Sequence, residues 1–353
     1  MKAIKTAIFL GGGASAAEGA PVQSELFRDY WKLVRQKPEL VDPTMLRELE
    51  DYFGEVFGLE IRGAEPDAVL FPTFEEALGV LDLAVRRRET LKHYDLENIS
   101  RDSNRIGFIR QYLVLLMAAV LDHPAGSSKA LHRRLLENLR QEDALADTVF
   151  LTTNYDLLLD RALAALPGYE PDYGFSGLMA GKGRPANGRT VELYKVHGSL
   201  NWLFCPACNA VDVTLREAGA ARLLTGSRHS HCEACHSVVQ PVIVPPTFFK
   251  DLSNVFLGVV WHQAERRLQE AGKVIFCGYS FPDADLHVKY LFKRAQTNRT
   301  RTLKFSVVND HPGKKPGRVE EERNRYRRFL GSEVDYTELS FEDFATDPLR
   351  LYR

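Results

Sequence analysis

The chain has 353 residues, long enough for one large domain or two with a substantial buried core. Its 44% hydrophobic and 26% charged residues are those of an ordinary soluble globular protein. Lys plus Arg number 46 against 47 Asp plus Glu, and the resulting net charge of -1 excludes a global pull toward nucleic acid or an anionic membrane.

Lys5 to Leu10, KTAIFL, reads as a buried strand that runs into the turn GGGAS and a helix start. The two lysines and short apolar run before it lack the length and cleavage site of a signal peptide. From Pro21 to about Gln141 the pattern is mainly helical, an insertion after the first strand and its turn. Within it, Thr73 to Glu76 has capping-box spacing. The greasiest stretch, Ile106 to Leu121, is interrupted by Arg110 and Gln111. It is too short for a membrane span and is read as a core helix. Leu131, Leu135, Leu136 and Leu139 then share one helix face.

Thr148 to Leu151 begins a strand, turn and helix sequence, DTVFLTTNYDLLLDRAL. Tyr169 to Thr190 is rich in Gly, Pro and Asn and is expected to be irregular. VELYKV predicts a short strand ending at His197. Cys205 to Cys235 forms a separate module with a helical-looking middle, VTLREAGAARLL, after which PVIVPP returns toward the sheet. KVIFC and KFSVV predict two further strands with helices between, and the tail predicts helix, short strand and helix. Short apolar strands alternating with helices imply an α/β protein with a parallel sheet covered on both faces.

Four of the five cysteines form two CxxC pairs, Cys205 with Cys208 and Cys232 with Cys235, with twenty-three residues between the pairs. Each CxxC turn can bring two sulfurs to one tetrahedral zinc ion. Scattered thiols or an exchange-active pair are the alternatives. A four-cysteine site is closed, with no position for water or substrate, so such a zinc stabilises rather than catalyses. His229, His231 and His236 lie close enough to replace a cysteine but read better as surface residues. This cysteine usage suits a reducing compartment, and a cytoplasmic location is expected.

Gly11 to Ala16 fits G-x-G-x-x-A after a strand, a turn through which phosphate can approach backbone N–H groups. No acidic residue follows at the offset a dehydrogenase fingerprint needs. Asn154 and Asp156 in TTNYD stand where a strand hands over to a helix. They suit ribose binding or, equally, helix capping. The loops after Cys277 and Val308 are also polar. His197 ends a strand too; its side chain suits proton transfer near neutral pH, or a purely structural place. Four such strand ends suggest one shared cleft.

Taken together these motifs resemble a sirtuin. The order is Gly11-Gly12-Gly13-Ala14-Ser15, Asn154-Tyr155-Asp156, His197-Gly198, the four cysteines, Gly278-Tyr279-Ser280 and Asn309. The resemblance implies a Rossmann-like domain over 1–198 and 241–353 with the helical insertion at about 21–141, and a zinc-ribbon module over 199–240. It implies NAD in the cleft: Gly11 to Ser15 at the diphosphate, Asn154 and Asp156 at the nicotinamide ribose, Gly278, Ser280 and Asn309 at the adenosine part, and His197 as general base. The four cysteines would hold structural zinc.

The departures are informative. Deacylases of the family usually carry GIPDFR after the glycine turn, and this chain has EGAPVQSELF. After Asn154 they usually read Ile-Asp-Gly-Leu-His, where this chain has Tyr-Asp-Leu-Leu-Leu. These features resemble the prokaryotic sirtuin-like branch whose members often hydrolyse NAD in antiphage defence. That branch implies an NAD hydrolase; because an uncontrolled one would poison its host, regulation by homo-oligomerisation, a defence partner or both is expected. NAD-dependent lysine deacylation and a non-catalytic NAD or ADP-ribose sensor or scaffold are the alternatives.

Overall fold

The strand TAIFL (β1, Thr6–Leu10) is buried along its whole length, as a continuous apolar run in a sheet covered on both faces requires. A computed structural model describes residues 5–94, 105–122, 129–176, 189–214, 231–244, 254–309 and 316–352. After β1 come α1 (Gly12–Ala17), α2 (Leu26–Gln36), α3 (Pro43–Phe57), α4 (Phe74–Arg87), α5 (Arg105–Asp122) and α6 (Leu131–Gln141). Then follow β2 (Thr148–Thr152), α7 (Leu158–Ala165), β3 (Tyr169–Asp172), β4 (Arg189–Lys195), β5 (Gly198–Phe204), β6 (Val211–Val213) and β7 (Gln240–Ile243). The rest is α8 (Val255–Glu270), β8 (Lys273–Cys277), α9 (Leu286–Thr297), β9 (Lys304–Val308), α10 (Pro316–Leu330), β10 (Asp335–Thr337) and α11 (Phe341–Thr346).

Seven strands form a parallel sheet in the order β10-β9-β8-β1-β2-β4-β3. The fold is thus α/β and Rossmann-like. β1 lies between β2 and β8, with Leu10 opposite both Thr152 and Cys277. The chain fills one side of β1 first and the other side later, so the strand order reverses beside β1. Ligands of open α/β sheets bind in the crevice that such a reversal opens.

Tyr169 to Thr190 was expected to be irregular, but Tyr169–Asp172 forms β3 at the edge of the sheet. Pro171 lacks an N–H donor, and an edge strand is where a sheet tolerates that. The strand expected to end at His197 ends at Lys195. After a turn at residues 196 and 197 a second strand, β5, starts a separate three-stranded sheet in the order β6-β5-β7. PVI, expected to return to the main sheet, belongs to β7 of that small sheet. Most of the helical middle expected between the cysteine pairs lies outside the described residues.

The helical insertion builds a second core from Leu26 to Val120, which Tyr155, Leu157 and Leu200 also join. α5 is buried along nearly all of its faces, which marks it as the central helix of that unit. α3 starts on Asp42, whose carboxylate accepts from the N–H groups of Thr44 and Met45, with Pro43 in the first turn. The capping box expected at Thr73 and Glu76 opens α4. α6, read above as part of the insertion, instead packs its four leucines into the core of the main sheet. Its Asn138 donates to the carbonyls of Ala345 and Thr346 beside α11. Among the described residues, no helix is long and apolar enough to cross a membrane.

A buried polar chain ties β4, α7 and β5 together. Lys195 and Asp160, each with a side chain 1% exposed, form an ion pair at 2.9 Å. Lys195 also donates to the Asp156 carbonyl at 2.6 Å. The Tyr173 hydroxyl donates to Asp160, and Asn201 donates to Tyr173. Burial, then the neighbouring carboxylate, raises the Tyr173 phenol well above its usual range and keeps it a neutral donor. Removing one partner of a buried ion pair costs about 3–5 kcal/mol because the other charge stays buried. Lys195→Met is therefore expected to lower stability by about that amount in urea unfolding. A second change, Asp160→Leu, should recover part of the loss.

Candidate active site and cysteine module

The cleft begins with a backbone contact. The N–H of Gly11 donates to the Cys277 carbonyl at 2.9 Å, and that of Gly13 to the Gly278 carbonyl at 2.8 Å. A Cβ on Gly11 would stand 2.6 Å from the Gly278 carbonyl oxygen. Gly278 has φ of +61°, and a Cβ there would run into the backbone of Gly13 and Ala14. These three glycines serve the approach of one strand end to another. Gly12 differs: a Cβ there meets nothing within 4 Å.

Above this contact lies a cavity of about 460 Å³, a size typical of small-molecule sites. Gly12, Gly13, Ser15, Asn154, Asp156, His197, Gly278, Ser280 and Asn309 all line it. Gly11 and Ala14, expected in that lining, are buried beneath it because they carry the packing against Gly278 and Tyr279. The helical unit supplies a further wall through Leu26, Glu75, Met117 and Leu121. Sequence reasoning had assigned it no place in the cleft.

Hydrogen bonds lock the strand-end side chains. Asn154 donates to the Gly11 carbonyl at 2.9 Å and to Ser15 Oγ at 2.8 Å, which fixes the direction of its own amide oxygen. Ser15 Oγ donates to Asp156 at 2.7 Å. The other Asp156 oxygen accepts from the N–H of Leu158 at the start of α7. Asp156 thus combines the helix-capping place and the cavity place that the sequence left as alternatives. Asn309 donates to Glu322, which also accepts from Tyr336 at 3.0 Å. Ser280 is exposed on the loop after β8.

His197 sits in the turn between the two sheets and is 3% exposed. Gly198 has φ of +86°, and a Cβ there would collide with the Val242 carbonyl, so the turn demands glycine. The turn is held by Trp261 donating to the Val196 carbonyl and by Val244 donating to that of His197. Tyr155, between Asn154 and Asp156, places its ring 6.4 Å from the imidazole and donates to the Val244 carbonyl. Burial raises the Tyr155 phenol well above its usual range, so it stays neutral.

His287, on the first turn of α9, was not found from the sequence. Its Nε2 lies 2.6 Å from that of His197. Asp285 completes a group whose ligand atoms lie within 4.8 Å of one another, and it accepts from Tyr279 at 2.9 Å. The run PDADLH held a signal, two carboxylates and a histidine after a strand end, but nothing local aims that histidine at residue 197.

The four cysteines converge. Cys205 and Cys235 sulfurs are 3.4 Å apart, and those of Cys208 and Cys232 are 3.6 Å apart. Ligands about 2.3 Å from a tetrahedral zinc lie about 3.8 Å from one another, so the set fits zinc without a histidine. The two CxxC turns are built alike. Asn209 and His236 follow them with φ of 57° and 59°, and donate to the carbonyls of Cys205 and Cys232. His236 thus serves a turn, and His231 pairs with Val238 in a bridge. His229 lies outside the described residues. Hydrogen bonds from Ser237 pull the Cys235 thiol down, while at Cys208 the bond from the Ala210 backbone is outweighed by the other three sulfurs, which push that thiol up.

A model of the SIR2-like domain matches residues 148–328, slightly more than half of the chain. No curated protein matches the sequence. Among solved structures, a Sir2 homologue–NAD complex is 15% identical with a TM-score of 0.42, over 100% of this chain and 90% of that one. A Sir2 bound to acetylated peptide is 15% identical with a TM-score of 0.42, over 99% and 93%.

One zinc per chain is expected by elemental analysis of purified protein. Cys205→Ser should abolish it and lower the melting temperature, while Cys277→Ser should leave the zinc content unchanged.

Proposed function

The chain belongs to the SIR2-like family, and from that premise we propose that it is an NAD hydrolase yielding nicotinamide and ADP-ribose. The observation that carries this reading is the convergence of Gly12, Ser15, Asn154, His197 and Asn309 on one cavity at the strand-order reversal. Glycine-turn N–H groups suit a diphosphate, and Gly278, Ser280 and Asn309 suit the adenosine end. Asn154 and Asp156 then stand at the nicotinamide ribose, with His197 beside them.

Hydrolysis breaks the bond between the nicotinamide nitrogen and ribose C1′, and its electron pair leaves with the ring. Positive charge grows on the ribose, where the Asp156 carboxylate and the oriented Asn154 amide are favourable neighbours. A water forms the new C1′–O bond and loses a proton to His197. Water is favoured over an acyl-lysine by the departures after the glycine turn and after Asn154. It is also favoured by the close packing of Tyr155 and His287 around a nearly buried imidazole. The zinc would hold the small sheet that carries the far side of the His197 turn, and no step runs through it.

An unregulated hydrolase of this kind would harm its host, which suits a role in antiphage defence under control by self-assembly or a defence partner. The helical unit walls the cleft, and it exposes Leu70, Leu83, Val85 and Phe108. Light scattering after size exclusion should therefore find an oligomer. A monomer active without any trigger would count against this control.

Nicotinamide release from NAD, with and without acetylated peptide, tests the activity. Peptide-independent release is expected, and His197→Ala and Asn154→Ala should each lower it about 100-fold or more. Release only with peptide would assign deacylation, and no release would favour a sensor.

A further inference from the structure

We propose that His287 is a positioning residue that relays the proton from His197 to solvent. The inference rests on the hydrolase reading and adds a residue that the reading does not need. Each turnover leaves a proton on His197, which is 3% exposed. While product still fills the cavity that His197 lines, the ring needs another route to discharge.

The geometry supplies an outlet. The two Nε2 atoms are 2.6 Å apart, the ring centroids 4.9 Å apart and the planes 23° apart. These values describe two rings meeting edge to edge, with the nitrogens facing each other in line. One nitrogen must carry a proton and the other a lone pair, so the contact is a shared N–H···N bond. His287 is half-buried, so the proton passes from an enclosed ring to a more exposed one.

Asp285, His197 and His287 also have the composition of a metal site. A metal, however, needs lone pairs that converge on one point. Here the two imidazole nitrogens are aimed at each other, and the shared proton occupies the line between them.

The surroundings suit passage rather than storage. The Asp285 carboxylate faces both rings and stabilises a passing positive charge, while its bond from Tyr279 holds it in place. His287 lies on the first turn of α9, directly after Asp285 at the helix start. Trp261 of α8 covers it at 5.5 Å. On the far side, neutral Tyr155 stands beside His197, with Glu75 of α4 near enough to act on Tyr155.

The relay balances. Water attacks C1′ and its proton enters His197 at Nδ1. The Nε2 proton of His197 crosses to Nε2 of His287, and His287 gives up its Nδ1 proton to solvent. After product leaves, His287 Nδ1 takes a proton from solvent, the shared proton returns to His197 Nε2, and His197 Nδ1 loses its proton to water in the emptied cavity, so the net product is one proton per NAD cleaved.

The test measures nicotinamide release by wild type, His287→Ala and His287→Gln from pH 6 to 9, with and without added imidazole. Both variants should lose about tenfold or more in kcat with KM for NAD little changed. Imidazole should restore the alanine variant in a concentration-dependent way. Glutamine can hold His197 by a hydrogen bond but cannot pass a proton on. Wild-type activity in His287→Gln would therefore overturn the relay, as would an unchanged kcat in His287→Ala or a loss that imidazole does not relieve. A wild-type protein that releases no nicotinamide sinks the hydrolase reading and the relay together. An active wild type with an indifferent His287 sinks the relay alone.

Discussion

The cleft depends on one close approach of main chain to main chain. The turn after β1 and the turn after β8 press together through Gly11, Gly13 and Gly278, and N–H···O bonds cross the seam. Any Cβ on that seam would force the two strand ends apart. Once the seam is closed, Ser15 lies where it can bond Asp156, and Asn154 lies where it can bond Gly11. A side-chain network of this kind costs little further ordering entropy, because the backbone it spans is already fixed.

The opposite side is set by the turn that carries His197. This turn joins the two sheets, and Gly198, Trp261, Val244 and Tyr155 all act on it. The cysteine module begins one strand later. Its own core is small, built on Leu203, Cys205, Cys232 and Val239. Trp202 and Val242 fasten the three strands to the main core, while the four-sulfur end has little apolar burial of its own and is the part a metal would stabilise. The candidate site and the cysteine module therefore meet within the run from Val196 to Cys208.

Much of this was legible along the chain. The central strands are short apolar runs, and full burial on both faces needs nothing else. The cysteine pairs announce their convergence by spacing alone. β3 was hidden because Pro171 and its Gly-rich surroundings read as loop, while an edge position tolerates a residue without an N–H. α6 was grouped with the insertion because its leucine face does not say which core it serves. Gly11 was read as a phosphate contact because a glycine for a ligand and a glycine for packing look alike in sequence.

The sequence by itself determined the α/β class, the closed cysteine set and the roster of polar strand ends. Those follow from periodicity, spacing and residue chemistry, which are local. Tertiary structure alone decided that the helical unit walls the cleft, that Gly12 faces it while Gly11 does not, and that His287 meets His197. These are contacts between segments far apart in the chain. They depend on where strands sit in the sheet, and neither histidine carries any local mark of the other.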